Sequence, residues 1–316
     1  MLNAFRQRAF ALKIESTEGT DSTPTAAADA VRVYDGASEV SATEQTRNED
    51  RSTFGGKPFT LTNYVGSITG NVDLIGATTA GTAGPISALL RSCGHTQVLD
   101  AVGPPPSAEY NPVSSGFSSA TGKFWHAGDA MKLLGGRGML EELDFSIGSY
   151  ARARFRFQGS ANADIEEALP NDLDLDDWQE PLGITTETSI LTVNGVNVDG
   201  RSLILRPSVD MATVEHTEAR VTRHRDRLTQ GELLFFKSAF ASLNPDALAR
   251  GHTIVALSFT VFATGSSKSV KIEVPRAQLK LPRREEVEGF MAYRVPFVAL
   301  PDNGDDEYLL TLYQSA

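Results

Sequence analysis

"TRNEDRSTFG" (46–55) and "TRHRDRLTQG" (222–231) share six of ten residues at an offset of 176 in a chain of 316. Thr46, Arg47, Asp50, Arg51, Thr53 and Gly55 match Thr222, Arg223, Asp226, Arg227, Thr229 and Gly231. A second match follows each stretch. Pro85, Ala88, Leu89, Arg91, Gly94, His95, Thr96 and Val98 recur in order as Pro245, Ala247, Leu248, Arg250, Gly251, His252, Thr253 and Val255. Small insertions are needed, but both halves put a charged TR…DR stretch ahead of a short helix ending in Gly-His-Thr. The pattern predicts a tandem duplication: a first β-domain over 1–161, an acidic linker over 162–183 and a second β-domain over 184–316. Domains of about 150 residues are ordinary, and each is long enough to hold its own core.

The segments around these stretches alternate with period two. "AFALKIES" (9–16), "SITGNVDLIG" (67–76), "KFWHAG" (123–128) and "ARARFRFQG" (151–159) read as strands in the first half. "RSLILRPSVD", "TIVALSFTVFATG", "SVKIEVPRAQLKL", "FMAYRVPFVAL" and "EYLLTLY" do so in the second. Turn residues separate them at short intervals, which favours a mainly β sandwich or barrel over a βαβ fold. Two short helices interrupt: 84–95, with Pro85 at its start and Gly94 as its stop, and 244–252, with Asn244 as cap, Pro245 in the first turn and Gly251 at the end. The first half also carries two long insertions, 56–83 and 100–122.

Forty acidic against 29 basic residues give a formal charge of −11, the wrong sign for gripping phosphate backbones. One cysteine, Cys93, leaves no intrachain disulfide and no cysteine metal site, and reads as a small buried apolar residue. No apolar run approaches the ~20 residues of a membrane-spanning helix, and the start lacks the pattern of a cleaved leader. His95, His126, His216, His224 and His252 form no zinc spacing, and the acidic run 172–177 lacks the glycine and glutamate of a calcium loop. "LLGGRGML" (133–140) lies among strands and reads as a bulge or tight turn rather than a phosphate cradle. No enzyme signature and no cofactor motif emerge. The TR…DR stretches remain. Arg47 and Arg51, like Arg223 and Arg227, lie four apart, so on extended backbone each pair shares a face, with Asp50 or Asp226 beside it. Forked guanidinium groups suit carboxylates, either within the chain or across an inter-subunit or inter-ring contact.

These segments together resemble the tail tube (major tail) proteins of long-tailed, non-contractile bacteriophages. The resemblance rests on "ALKIESTEGTDSTPTAAADAVRV" (11–33), "RSTFGGKPF", "LLRSCGH", "YNPVSS" and "LLGGRGMLEELDFSIGSYARARFRFQG", in that order over most of 9–160. The second half resembles the same family more weakly, through its helix and "YRVPFVAL…EYLLTLY". The resemblance implies two tandem β-sandwich domains, each with a flanking helix, whose inner sheets close into a β-barrel in an oligomeric ring. It implies three two-domain chains per ring with pseudo-sixfold symmetry (six chains being the alternative) and stacked rings. Further implications are contact with a tape measure protein and other tail proteins, a place in the virion tail after assembly in the host cytoplasm, and DNA passage without specific binding. A negative channel would repel phosphates and let DNA slide. Insertion 56–83, loop 100–122 and the termini 1–9 and 313–316 are the expected inter-ring contacts. A β-sandwich adhesion module, binding a host surface or carbohydrate, is the competing class.

Overall fold

The computed structural model describes residues 7–103, 105–237, 242–262 and 268–315. The first nine strands are β1 (Arg8–Ile14), β2 (Tyr34–Thr46), β3 (Phe59–Asp73), β4 (Val98–Asp100), β5 (Ser107–Tyr110), β6 (Ala120–His126), β7 (Asp129–Ser146), β8 (Arg152–Ala161) and β9 (Ile165–Glu166). Then follow β10 (Ser189–Val193), β11 (Val196–Val198), β12 (Gly200–Arg206), β13 (Val209–Glu215), β14 (Arg220–Arg227) and β15 (Gln230–Phe236). The last are β16 (Ile254–Val261), β17 (Val270–Leu279), β18 (Arg283–Val287), β19 (Phe290–Ala299) and β20 (Leu309–Tyr313). Two helices, α1 (Ser87–Ser92) and α2 (Pro245–Arg250), complete a mainly β chain. The start of the chain through residue 6, the end of the 253–265 segment and Ala316 lie outside the described residues.

Hydrogen bonding joins eighteen strands into one antiparallel sheet, with β13–β14 as a separate ribbon. In the first half the ladder runs β1–β6–β7–β8–β3–β2. In the second it runs β10–β16–β17–β19–β15–β12. The two ladders share one order when strands are counted from each half's start, and each places its helix between the third and fourth members of that count. The halves are sewn together where the C-terminal end of β7 pairs with β12, Leu143 opposite Leu205 and Phe145 opposite Leu203. A second stitch, β5–β20, brings the last strand back to the first half. Among the described residues the ladder is open at its ends and does not close into a barrel within one chain.

Alternation explains the strands. In β8, Ala153, Phe155 and Phe157 are buried while Arg152, Arg154 and Arg156 point away; β19 repeats the pattern with Tyr293, Val295 and Phe297 inside. Gly135 takes φ +57° inside β7, where the pairing with β8 shifts between Leu134 and Arg137, so the glycine-rich stretch is a bulge. In α2, Asn244 Oδ1 accepts from the Ala247 N–H at 3.1 Å. Gly94 ends α1 at φ +79°, but Gly251 stays at φ −77° and His252 carries the left-handed turn at φ +51°. Where the sequence suggests a core for each half, one continuous apolar cluster spans both, with Phe145 and Phe259 rings 5.7 Å apart across the seam. The acidic connection rests on the first half: Trp178 is buried and its Nε1 donates to Ala30 O at 3.0 Å, whereas Asp172, Asp174, Asp176 and Asp177 stay exposed.

Candidate assembly surface

The two TR…DR stretches occupy different places. The first lies at the far end of the β2–β3 arm, whose residues 39–61 are all exposed. Thr46 closes the β2 ladder opposite Phe59, and the Arg47 N–H donates to Pro58 O at 2.9 Å. Asp50 is exposed, and the Arg51 guanidinium reaches only two residues back, to Glu49 Oε1 at 3.0 Å. Phe54 at the tip is fully exposed, and Val40, Phe59, Leu61 and Tyr64 add apolar surface along the arm. Arg47, Asp50 and Arg51 make no hydrogen bond or ion pair with the second stretch among the described residues.

The second stretch runs through β14, half of a ribbon laid over β3, β7 and β8, and into the start of β15. A bulge between Asp210 and Met211 puts Arg225 out of register, so Arg223 and Arg227 do not share a face as regular extended backbone would give. Arg223 pairs with Glu18, and Asp226 Oδ1 accepts from the Arg227 N–H at 2.8 Å. Arg227 turns inward: it donates to both Glu307 carboxylate oxygens at 2.9 Å, to Asp305 Oδ1 at 3.1 Å and to Val113 O at 3.0 Å. Beside it the buried Arg137 donates to Thr222 O at 2.9 Å and pairs with Glu18 at 3.3 Å. Arg220 clips the ribbon to the base of the arm, donating to Tyr64 O at 2.9 Å. Arg137, Glu18, Arg220 and Glu307 escape a reading by spacing because they come from four distant segments. Arg137, alone among glycines and apolar residues, was the one visible signal.

Under the ribbon lies a cavity of about 250 Å³, lined by Cys93, His95, Phe117, His224, Arg227 and Tyr308 among others. Burial pushes the Cys93 thiol and the Tyr308 hydroxyl upward, so both stay protonated at neutral pH. Burial also holds His95 down at about 4, and shifts His224 downward. His95 Nδ1 donates to Leu90 O at 3.0 Å, which fixes its tautomer; its Nε2 therefore accepts from the Tyr308 hydroxyl at 2.6 Å. Both ring nitrogens are committed to holding α1 against Tyr308, the residue just before β20. Among the described residues no group of three or more His, Cys, Asp or Glu side chains could hold a metal ion, and no helix is long and apolar enough to cross a membrane.

The remaining surface of interest is backbone. β2 has β3 as its one strand partner and β18 has β19, so each presents an unpaired edge among the described residues. At one end of the β2 edge the Arg8 guanidinium donates to Gly36 O. Open edges recruit further strands. No protein-family model matches the chain, and no curated protein matches it.

Proposed function

We propose that the chain is a tail-tube subunit of a long-tailed, non-contractile phage and carries the tail-tube sandwich fold twice. Three chains then make a ring of six similar domains, and rings stack into the tube through which DNA passes. The observation that supports this reading is the shared six-strand order of the two halves, with an unpaired strand edge left at either end of the sewn ladder. A heterologous, head-to-tail edge of this kind generates a ring when the rotation closes and a filament when it does not. The exposed β2–β3 arm is the natural bridge to the next ring, with Arg47, Asp50, Arg51 and Phe54 at its tip. Arg223 and Arg227, by contrast, pair with Glu18 and Glu307 of the same chain.

Electron microscopy of the purified full-length chain tests the proposal. Hollow tubes built of three-chain rings are expected. Arg47→Ala with Arg51→Ala should leave the melting temperature unchanged while shortening or abolishing tubes. Dispersed monomers that bind glycans would replace this reading with the adhesion module, and rings of six chains would remove the duplication from it.

A further inference from the structure

The β7–β12 seam between the halves is a template for a seam between chains. Superposing the two ladders strand on strand fixes a residue correspondence by two independent routes. Through β8 and β19, the run Arg154-Phe155-Arg156-Phe157 corresponds to Arg294-Val295-Pro296-Phe297, which sets Glu142, opposite Arg154, against Arg283, opposite Arg294. Through β6 and β16, Phe124 corresponds to Phe259, which sets Met131 against Ile272 and Leu133 against Val274. Both routes give the same spacing, so β7 corresponds to β17 followed by β18. The same stepping through β3 and β15 sets Ser38, reached through Ile68 and Phe157, against Leu205, reached through Gly231 and Phe297. One residue on, Glu39 corresponds to Arg206.

The intrachain seam therefore has a counterpart. Where β7 meets β12, β18 of one chain would meet β2 of the next, and both of those edges lack a strand partner among the described residues. The intrachain seam is flanked by an ion pair: Arg206 Nη2 lies 2.8 Å from Glu142 Oε2, and continuing the register puts these residues directly opposite. At the corresponding places stand Glu39 and Arg283, again opposite in sign but with the polarity reversed. Both are exposed, and neither has a partner among the described residues. We propose that β18 pairs antiparallel with β2 of a second copy of this chain, with Arg284 opposite Ser38 and Arg283 paired to Glu39. The reversed polarity has a further effect. A first half offered to another first half would oppose Glu142 to Glu39, and a second half offered to another second half would oppose Arg283 to Arg206. Like charges face each other in both wrong pairings, so the halves are driven to alternate around the assembly.

This inference deepens the self-association part of the function proposed above and rests on it. The test is a charge exchange in the full chain. Glu39→Arg alone and Arg283→Glu alone should each lower the yield of rings or tubes by roughly tenfold or more, as like charges across an interface do. The double variant E39R/R283E should recover assembly to near the wild-type yield. Circular dichroism melts should match the wild type in all three, since both positions are exposed. As a second readout, chains carrying S38C are mixed with chains carrying R284C under oxidised glutathione. Opposed positions in an antiparallel ladder lie ~4.5–5.5 Å apart at Cα, within disulfide reach. A covalent dimer is expected only in the mixture. Single variants that assemble normally, or a double variant that stays dispersed, would overturn the register. Tubes insensitive to the exchange would sink this seam but spare the tail-tube reading. Rescue confined to closed rings that never stack would do the reverse.

Discussion

Two stretches that share six of ten residues do opposite work. In 46–55 the arginines stand in solvent at the end of a long arm, and Arg51 finds only its neighbour Glu49. In 222–231 the same letters lie in a ribbon pressed onto the sheet, and Arg227 satisfies two carboxylates and a carbonyl below the surface. The ladder places them differently too. Both stretches lie in the connection that enters the third-ranked strand, β3 or β15, but the ladder register sets Gly231 against Ile68 rather than against Gly55. Meanwhile β8 and β19, which do hold the same rank, agree at few residues. Likeness of place is carried here by strand order, and likeness of letters by residues whose surroundings differ. Three predictions press on that contrast.

The largest effect belongs to the arginines. The Arg227 side chain is 13% exposed and that of Glu307 12%, so Arg227→Ala strands a carboxylate away from water. Breaking a buried pair from one side costs about 3–5 kcal/mol, a fall in Tm on the order of 10 °C. Arg51→Ala, its counterpart by sequence, should stay within ~0.5 kcal/mol by denaturant titration, as exposed substitutions do. Equal losses at the two sites would show that the arm is packed in solution and break the comparison.

Next come the two Gly-His-Thr histidines. His95 is buried and neutral, hydrogen-bonded at both nitrogens, while His252 is exposed. Burial lowers the His95 pKa from 6.5 to about 4, with Arg227 and His224 disfavouring the charge further. The unfolded chain thus takes up a proton below 6.5 that the folded chain refuses until about 4. Stability from this group is complete above 6.5 and is lost as pH falls through that window, by about 3 kcal/mol at its foot. His95→Gln lowers stability at pH 7, and its deficit against the wild type should shrink by about that amount on going to pH 4, measured by urea midpoints. His252→Gln, at an exposed site, should stay within ~0.5 kcal/mol of the wild type at pH 7. A deficit for His95→Gln that is constant with pH would mean that the imidazole titrates freely.

Period-two alternation located β1, β3, β6, β8, β12, β16, β17, β19 and β20 from the letters alone, because one buried face leaves its mark on local sequence. Pro85 and Asn244 marked both helices. The ladder order was not readable, because the pairing of β7 with β12 or β5 with β20 depends on segments far apart in the chain. Nor was the divergence of Arg223 from Arg227. A single bulge residue, Arg225, inverts the face of the residues after it, and nothing local announces it. The polar contact between ribbon and sheet was hidden for the same reason: Arg137 and Thr222 meet from 85 residues apart.

The last pair is the closing glycine of each stretch, and it separates letter from place by the smallest change available, one methyl group. A Cβ on Gly55 would meet nothing within 4 Å, so Gly55→Ala should be neutral or slightly stabilising through the unfolded chain. A Cβ on Gly231 would sit 2.3 Å from the Phe297 ring and 2.6 Å from Ile204 O. The ring could turn aside at some cost in packing, but the carbonyl belongs to β12, held on its other edge by β7. Relief therefore requires β12 to shift at the seam between the halves. Overpacking of this kind costs about 1–3 kcal/mol. Hydrogen exchange should show the loss concentrated in β12 and the end of β7 rather than spread over the chain. If Gly231→Ala were as silent as Gly55→Ala, the tight approach of β15 to β12 would be wrong, and with it the geometry of the seam.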